Sequence, residues 1–276
     1  MVAPAEHPTI APGRAMLEVE MVFHESTVTS AAASSPMKLL TPTARGKSAW
    51  AYTSSFGGGL VAGDKTQLHV TVSAGARCFL GTQSSTKVYR NPAALPCEHT
   101  THATVSEDAL LVFAPEPVQA FADSHYSQRQ EFFLAPSAGL VLLDWFSSGR
   151  AARGERWAFK HLESRNDVFI GGERALVDSI LLSSDELAAQ MGRFNCLATL
   201  LIIGPSLKSA GEAVLQQIAA RPVEKRAALT TSASPVRGGA LLRVAGEEIE
   251  AVRRELSGHL TFLRDILGDD PWARKW

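Results

Sequence analysis

Apolar residues in this chain come in runs of strand length, and helical signals appear only late. The segments "MLEVEMVF" (16–23), "TQLHVTV" (66–72), "ALLVFAPEPV" (109–118), "GLVLLDWFSSG" (139–149) and "LATLLIIG" (197–204) are rich in Val, Leu, Ile or Phe, or alternate apolar with polar residues. Each is bounded by Gly, Pro, Ser or Asn. Short runs with such punctuation specify strands, so the first two thirds of the chain are predicted to be all-β.

Helices are predicted afterwards. "SSDELAAQMGRF" (183–194) carries a serine cap, and "SAGEAVLQQIAAR" (209–221) opens as a capping box with Ser209 and Glu212. From Glu247 to Gly268 the apolar positions Ile249, Val252, Leu256, Leu260, Leu263 and Leu267 step by three or four, with Gly268 as the stop and Pro271 beyond it. Residues 1–14 are expected to form a flexible N-terminal segment and 15–276 a single domain, since 276 residues bury a sizeable core and no internal repeat divides them.

Several functional classes are excluded by charge and by motif. With 27 basic and 28 acidic residues, no basic stripe argues for nucleic acid. Cys78, Cys97 and Cys196 are few, odd in number and spread out, which fits a reducing compartment. The start "MVAPAEHPTIAPG" has neither the basic nor the apolar region of a secretory signal, and the apolar run 197–204 is too short to span a bilayer. A cytoplasmic protein without membrane contact is expected. There is no G-x-S-x-G and no H-E-x-x-H, so no hydrolase constellation is in sight.

"GGGLVAGDKT" (57–66) is a near-miss to a phosphate-binding loop. Measured from Gly58 the spacing to Gly63 is right, but Asp64 stands where the lysine belongs. Phosphate loops work because backbone N–H groups and a following helix N-terminus face the anion. Here the next residues alternate as a strand, and Asp64 would repel phosphate. The overlapping G-x-G-x-x-A of 57–62 fails likewise, and the preceding "SAWAYTSSF" does not read as the buried parallel strand that a dinucleotide site needs. A glycine turn between strands remains.

A turn alone does not account for its neighbours. "GTQSSTKVYR" (81–90) is dense in hydroxyls and cations, and "LLDWFSSGRAARGERW" (142–157) sets acids, serines and arginines around two tryptophans. Apolar strands do not need polar groups at this density.

Taken in order, "GGGLVAGD", "TQSSTKVYR", "PEPVQAFADS", "DWFSSGRAARGERW" and the closing "GDDPWARKW" resemble the urease accessory protein family called UreD or UreH, in the form of its eukaryotic, and in particular fungal, members. The likeness runs from about residue 15 to the C-terminus. Ala62 stands where the family usually has Gly, and Ser84-Ser85 where it has Ala-Ala; both exchanges are small for small.

The resemblance implies a mostly β, β-helix-like stack of strands with two or three helices in the C-terminal half. It also implies a nickel-delivery scaffold without turnover of its own and with no permanently bound cofactor, through which Ni²⁺ is in transit. Its partners would be the urease apoprotein, a UreF-like accessory protein and, through that, a UreG-like GTPase. GTP then belongs to the partner, which disposes of the near-miss loop. The alternative is a pure protein–protein scaffold that never touches metal.

Nickel accepts carboxylate, imidazole and water, and a transit route must release what it binds, so oxygen ligands suit it. Within the family blocks Asp64, Asp144 and Glu155 are the candidate metal contacts, with Thr82, Gln83 and Thr86 lining the same interior path. The competing reading makes each acid structural: Asp64 capping its own turn, Asp144 paired with Arg150, Glu155 with Arg153 or Arg156. "CEHTTH" (97–102) lies outside these blocks and reads as a loop entering an ordinary strand. Trp272, Arg274 and Trp276 in the tail are the candidate partner-binding residues, by the usual enrichment of interfaces in Trp and Arg.

Overall fold

The computed structural model describes residues 12–43, 46–183 and 185–273. Two sheets face each other. The seven-stranded sheet holds β1 (Gly13–Val22), β2 (Glu25–Ala33), β5 (Lys65–Val72), β8 (Cys97–Val105), β11 (His125–Leu134), β13 (His161–Ile170) and β14 (Glu173–Leu182). The ten-stranded sheet holds β3 (Met37–Leu40), β4 (Ala49–Ser55), β6 (Arg77–Thr82), β7 (Thr86–Val88), β9 (Leu110–Phe113), β10 (Val118–Ala120), β12 (Gly139–Ser147), β15 (Cys196–Ile203), β16 (Leu229–Val236) and β17 (Gly239–Gly246).

Between residues 49 and 170 the chain alternates between the sheets, and each strand pairs in parallel with the one a coil earlier. β1, β5, β8, β11 and β13 form one parallel run and β4, β6, β9 and β12 the other. This is a β-helix of unequal coils, which is why the expected β-helix-like stack leaves no repeat in the sequence. Antiparallel hairpins finish it: β1–β2 at one end, β13–β14 at the other, and β15–β17–β16 extending the second sheet.

Four helices rather than two or three occupy the C-terminal half: α1 (Leu187–Met191), α2 (Lys208–Ala219), α3 (Ile249–His259) and α4 (Leu263–Leu267). Neither expected serine cap forms. Glu186 stands at the cap of α1, and a 3-10 turn at Pro205–Leu207 starts α2 one residue early, which moves Ser209 inside its first turn. Ser184 lies outside the described residues. The predicted closing helix is broken between His259 and Leu263 into α3 and α4, and Gly268 ends it in the left-handed conformation as its position requires.

β12 is buried along its whole length because it has a layer on each face. Val141, Leu143 and Trp145 face the helices with Val252, Leu256 and Leu263, whereas Leu140 and Leu142 face the interior with Leu80, Leu111 and Phe132. A third apolar cluster, with Phe146, Val118, Tyr126 and Leu162, fills the other end of the interior.

Three local expectations change. "SAWAYTSSF" does supply a buried strand, β4, parallel to β6; what excludes a nucleotide is the strand β5, not a helix, after the glycines. "CEHTTH" is no loop: β8 begins at Cys97. β1 begins at Gly13, ahead of the expected domain start, and the rest of the segment expected to be flexible, up to residue 11, lies outside the described residues. In the glycine run, Gly57 and Gly58 take φ of 74° and 72°, and a Cβ on Gly59 would meet the Lys87 carbonyl oxygen at 2.6 Å.

Candidate functional site

Alternation along a strand sends every second side chain inward, and midway between the two interior apolar clusters those side chains are polar on both sheets. On the seven-stranded sheet two cross-strand rows run Thr66–His99–Gln128–Ser164 and Thr101–Gln130–Asn166–Asp178. Facing them, the second sheet pairs Thr53 with Thr82 and, farther along, sets Asp144–Thr199–Arg243–Ser232 in register. The result is a polar belt that crosses the sandwich at right angles to its strands.

Asp144 is its central charge, 4% exposed. It accepts hydrogen bonds across the gap from Gln128 Nε2 at 2.8 Å, Ser164 Oγ at 2.6 Å and Asn166 Nδ2 at 2.9 Å. Gln130 Nε2 holds Asn166 Oδ1 at 2.8 Å and the Tyr126 hydroxyl holds Gln128 Oε1 at 2.9 Å, so the donors are themselves fixed. Burial pushes the Asp144 carboxyl above its ordinary range, and the three hydrogen bonds pull the other way. Arg150, its partner in the competing reading, pairs with Glu155 instead.

Beside this acid lies a cavity of ≈ 100 Å³, lined by Asp144, Thr82, Thr86, Thr66, His99 and Gln128 among others. That is room for several waters. His99 sits with Nδ1 2.8 Å from Thr66 Oγ1 and Nε2 3.0 Å from Thr101 Oγ1. Burial lowers its pKa to about 4, which keeps it neutral and able to offer a nitrogen lone pair.

The expected path residues are not all brought together. Thr82, Thr86 and Asp144 line one cavity, while Gln83 is exposed to solvent, because it follows the inward Thr82 on the same strand exit. Asp64 is not on the cavity wall: its Oδ2 accepts the Val61 N–H at 2.8 Å and closes its own turn, as the structural reading had it. Beside it the Cys97 thiol donates to Val61 O at 3.0 Å and is pushed up to about 11 by burial and the Asp64 charge. Glu155 is gripped in a two-pronged pair by Arg150, not Arg153 or Arg156, and that guanidinium holds its carboxyl below the usual range. Trp272 packs edge-on against Phe79, with ring centroids 5.6 Å apart, and belongs to the helix-side core; Arg274 and Trp276 lie outside the described residues.

Gln128, Gln130, Ser164 and Asn166 were missed by sequence reasoning, and His99 was set aside with the loop reading of "CEHTTH". A signal existed. In "HYSQRQEFFL" and "HLESRNDVFI" the charged residues occupy one alternate set, and uncharged polar residues flanked by Tyr, Phe, Leu or Val occupy the other, the mark of a polar inward face.

Among the described residues no three His, Cys, Asp or Glu side chains converge to hold a metal ion, and no helix is long and apolar enough to cross a membrane. What the fold and site define is a β-helical scaffold with a hydroxyl- and amide-lined interior around the buried carboxylate of Asp144.

Residues 11–276 match the family model described as UreD urease accessory protein. A urease accessory protein UreD of Sorangium cellulosum (strain So ce56) is 48% identical over 267 residues, covering 96% of this chain and 84% of the relative. Urease accessory protein D of Oryza sativa subsp. indica is 31% identical over 303 residues, 99% of each. An uncharacterized urease accessory protein ureD-like of Schizosaccharomyces pombe is 32% identical over 233 residues, 79% and 80% of the two. The chain therefore belongs to the UreD family of urease accessory proteins, with a role in urease maturation. Bacterial, plant and fungal proteins all match, and the 48% identical relative is bacterial, so the eukaryotic, fungal origin expected above is not confirmed.

Proposed function

We propose that this chain binds the urease apoprotein in the cytoplasm, recruits a UreF-like protein and through it a UreG-like GTPase, and gives nickel an interior route toward the urease active site without catalysing a reaction itself. The observation that carries the route is the cavity between the sheets, where Asp144 sits among neutral oxygens and the neutral imidazole of His99, while Glu116, also on its wall, is held by Arg253. Hard oxygen and a single imidazole suit a cation that must be released again. Thr82 and Thr86 offer hydroxyls on the same wall, although Thr82 Oγ1 already accepts the Glu116 N–H at 2.8 Å.

A pure scaffold is the second reading, and the structural hydrogen bonding of Asp64 and Glu155 favours it. Maturation of urease with and without this chain tests the role itself: without it, urease should fold but be metal-poor and inactive. Normal nickel content in its absence would overturn the proposal.

A further inference from the structure

α2 and α3 pack with Leu200, Ile202 and Leu242 on the face of the second sheet turned away from the interior. Between them lies a solvent-open cavity of ≈ 380 Å³ that shares no wall residue with the interior one. Gln217 and Arg221 line it from the end of α2, Leu229 from the start of β16, and Arg254, Glu255 and His259 from α3.

Glu255 Oε1 is the fixed point of this space. It accepts Arg221 Nη1 at 2.6 Å and His259 Nε2 at 2.8 Å, and these neighbours, His259 foremost, hold its carboxyl below the usual range. That tie between the helices uses only one ring nitrogen of His259. The side chain is 3% exposed, and its Nδ1 has no hydrogen-bond partner among the described residues. A ring nitrogen that loses water on burial and gains nothing in return points to a ligand. Arg254 is a second unused group: exposed on α3, it makes no hydrogen bond or ion pair among the described residues. Arg221 keeps further N–H donors beyond the one that Glu255 takes. Two arginines thus face one glutamate on these walls. The carbonyl end of α2, worth about half a charge, is answered by Arg221 beside it.

We propose that this cavity binds a phosphate group, free or as the monoester of a small molecule. Arg221 and Arg254 take its oxygens from two helices, and the His259 imidazolium donates from Nδ1 while its Nε2–H stays on Glu255. Three separate donors match an anion with three free oxygens and about −1.5 to −2 charge near neutral pH; a planar carboxylate offers two oxygens. The remaining space beside Leu229 admits the organic part of an ester. The bound anion fastens the end of α2 to α3, on the opposite side of the sheet from the polar belt.

Calorimetric titration of the full chain with inorganic phosphate and, separately, with glycerol phosphate is the test. The parent should show saturable binding at a single site, and acetate should bind at least tenfold more weakly. Arg254→Gln should weaken both phosphates on the order of tenfold, the loss of one charge-assisted hydrogen bond, with the melting temperature in phosphate-free buffer unchanged. His259→Gln keeps a donor for Glu255 at the Nε2 position and lacks the second nitrogen, so it should weaken binding to a similar extent. Arg254 is exposed and outside the ion-pair tie, so its variant decides the question even if His259→Gln does not fold. Tighter binding of the ester assigns the site to a phosphorylated small molecule, and equal binding assigns it to phosphate itself. No saturable binding of either probe, an affinity unchanged in Arg254→Gln, or acetate bound as tightly as phosphate overturns the inference. Nickel delivery should be the same in Arg254→Gln as in the parent, so the outcome stands apart from that of the interior route.

Discussion

Asn166 Nδ2 reaches Asp144 Oδ2 at 2.9 Å across the space between two sheets, joining β13 of one to β12 of the other in the middle of an otherwise apolar interior. A hydrogen bond from a neutral amide to a carboxylate this deep is a poor choice for stability alone, since an apolar pair would fill the space without desolvating a charge. It is a sensible one where a cation is to meet the acid.

Two titrating groups of the belt, the half-buried His99 and the buried Asp144, give opposite pH dependences. His99 is a base whose folded pKa, about 4, lies below its ordinary 6.5, so its stabilising contribution is full above 6.5 and is lost as pH falls toward 4. That loss amounts to about 3 kcal/mol by linkage. Asp144 is an acid whose folded pKa is raised above 3.8, so its contribution is full below that value and falls as pH rises through the folded one. Urea unfolding at stepped pH should show a steeper acid-side loss in the parent than in His99→Asn, and a parent that weakens relative to Asp144→Asn as pH rises. Parallel curves for parent and variants would contradict this.

Glu155 should prove dispensable for metal. Its two-pronged pair with Arg150, whose guanidinium also lies 4.6 Å from the Phe121 ring centre, holds the turn after β12. Glu155→Gln is expected to cost about 1 kcal/mol or less, the scale of a partly exposed ion pair, and to leave nickel delivery at the parent level. Delivery that fails with the fold intact would return Glu155 to the path.

Trp272 is expected to matter to the fold before it matters to a partner. It packs against Phe79 and lines a groove with Trp145 and Leu260. Trp272→Ala should cost about 2 kcal/mol, less than a fully buried tryptophan, and lower the melting temperature by roughly 5 °C. An unchanged melt together with lost recruitment of a UreF-like partner would make it an interface anchor instead.

The strands that read clearly were those buried on both faces or cleanly alternating, such as β12 and β5, because their apolar runs follow directly from having layers on either side. β11 and β13 escaped notice, and β8 was expected to start later than it does, since their inward faces carry Cys97, His99, Gln128 and Asn166 where a core strand would carry Val or Leu. The same residues make up the site, so one cause hid both. Asp144 was legible as a polar residue inside an apolar run. Asp64 was selected on its block but is consumed by its own turn, a distinction that only the backbone of Val61 reveals. The break between α3 and α4 leaves Val252, Leu256, Leu260, Leu263 and Leu267 all buried, so the spacing of the apolar stripe does not report it.

Nickel reaching urease through a complex built with Asp144→Asn is the most direct measurement. The exchange nearly preserves volume, and with the new amide nitrogen at the Oδ1 position a flip of the Gln128 amide alone keeps its hydrogen bond to residue 144 while Ser164 and Asn166 still donate to the oxygen, so the melting temperature and the partner complex should stay near the parent's while the metal content and activity of the urease fall at least tenfold. A folded variant, in an intact complex, that loads urease with its full complement of nickel would contradict the interior route and leave the chain a scaffold alone.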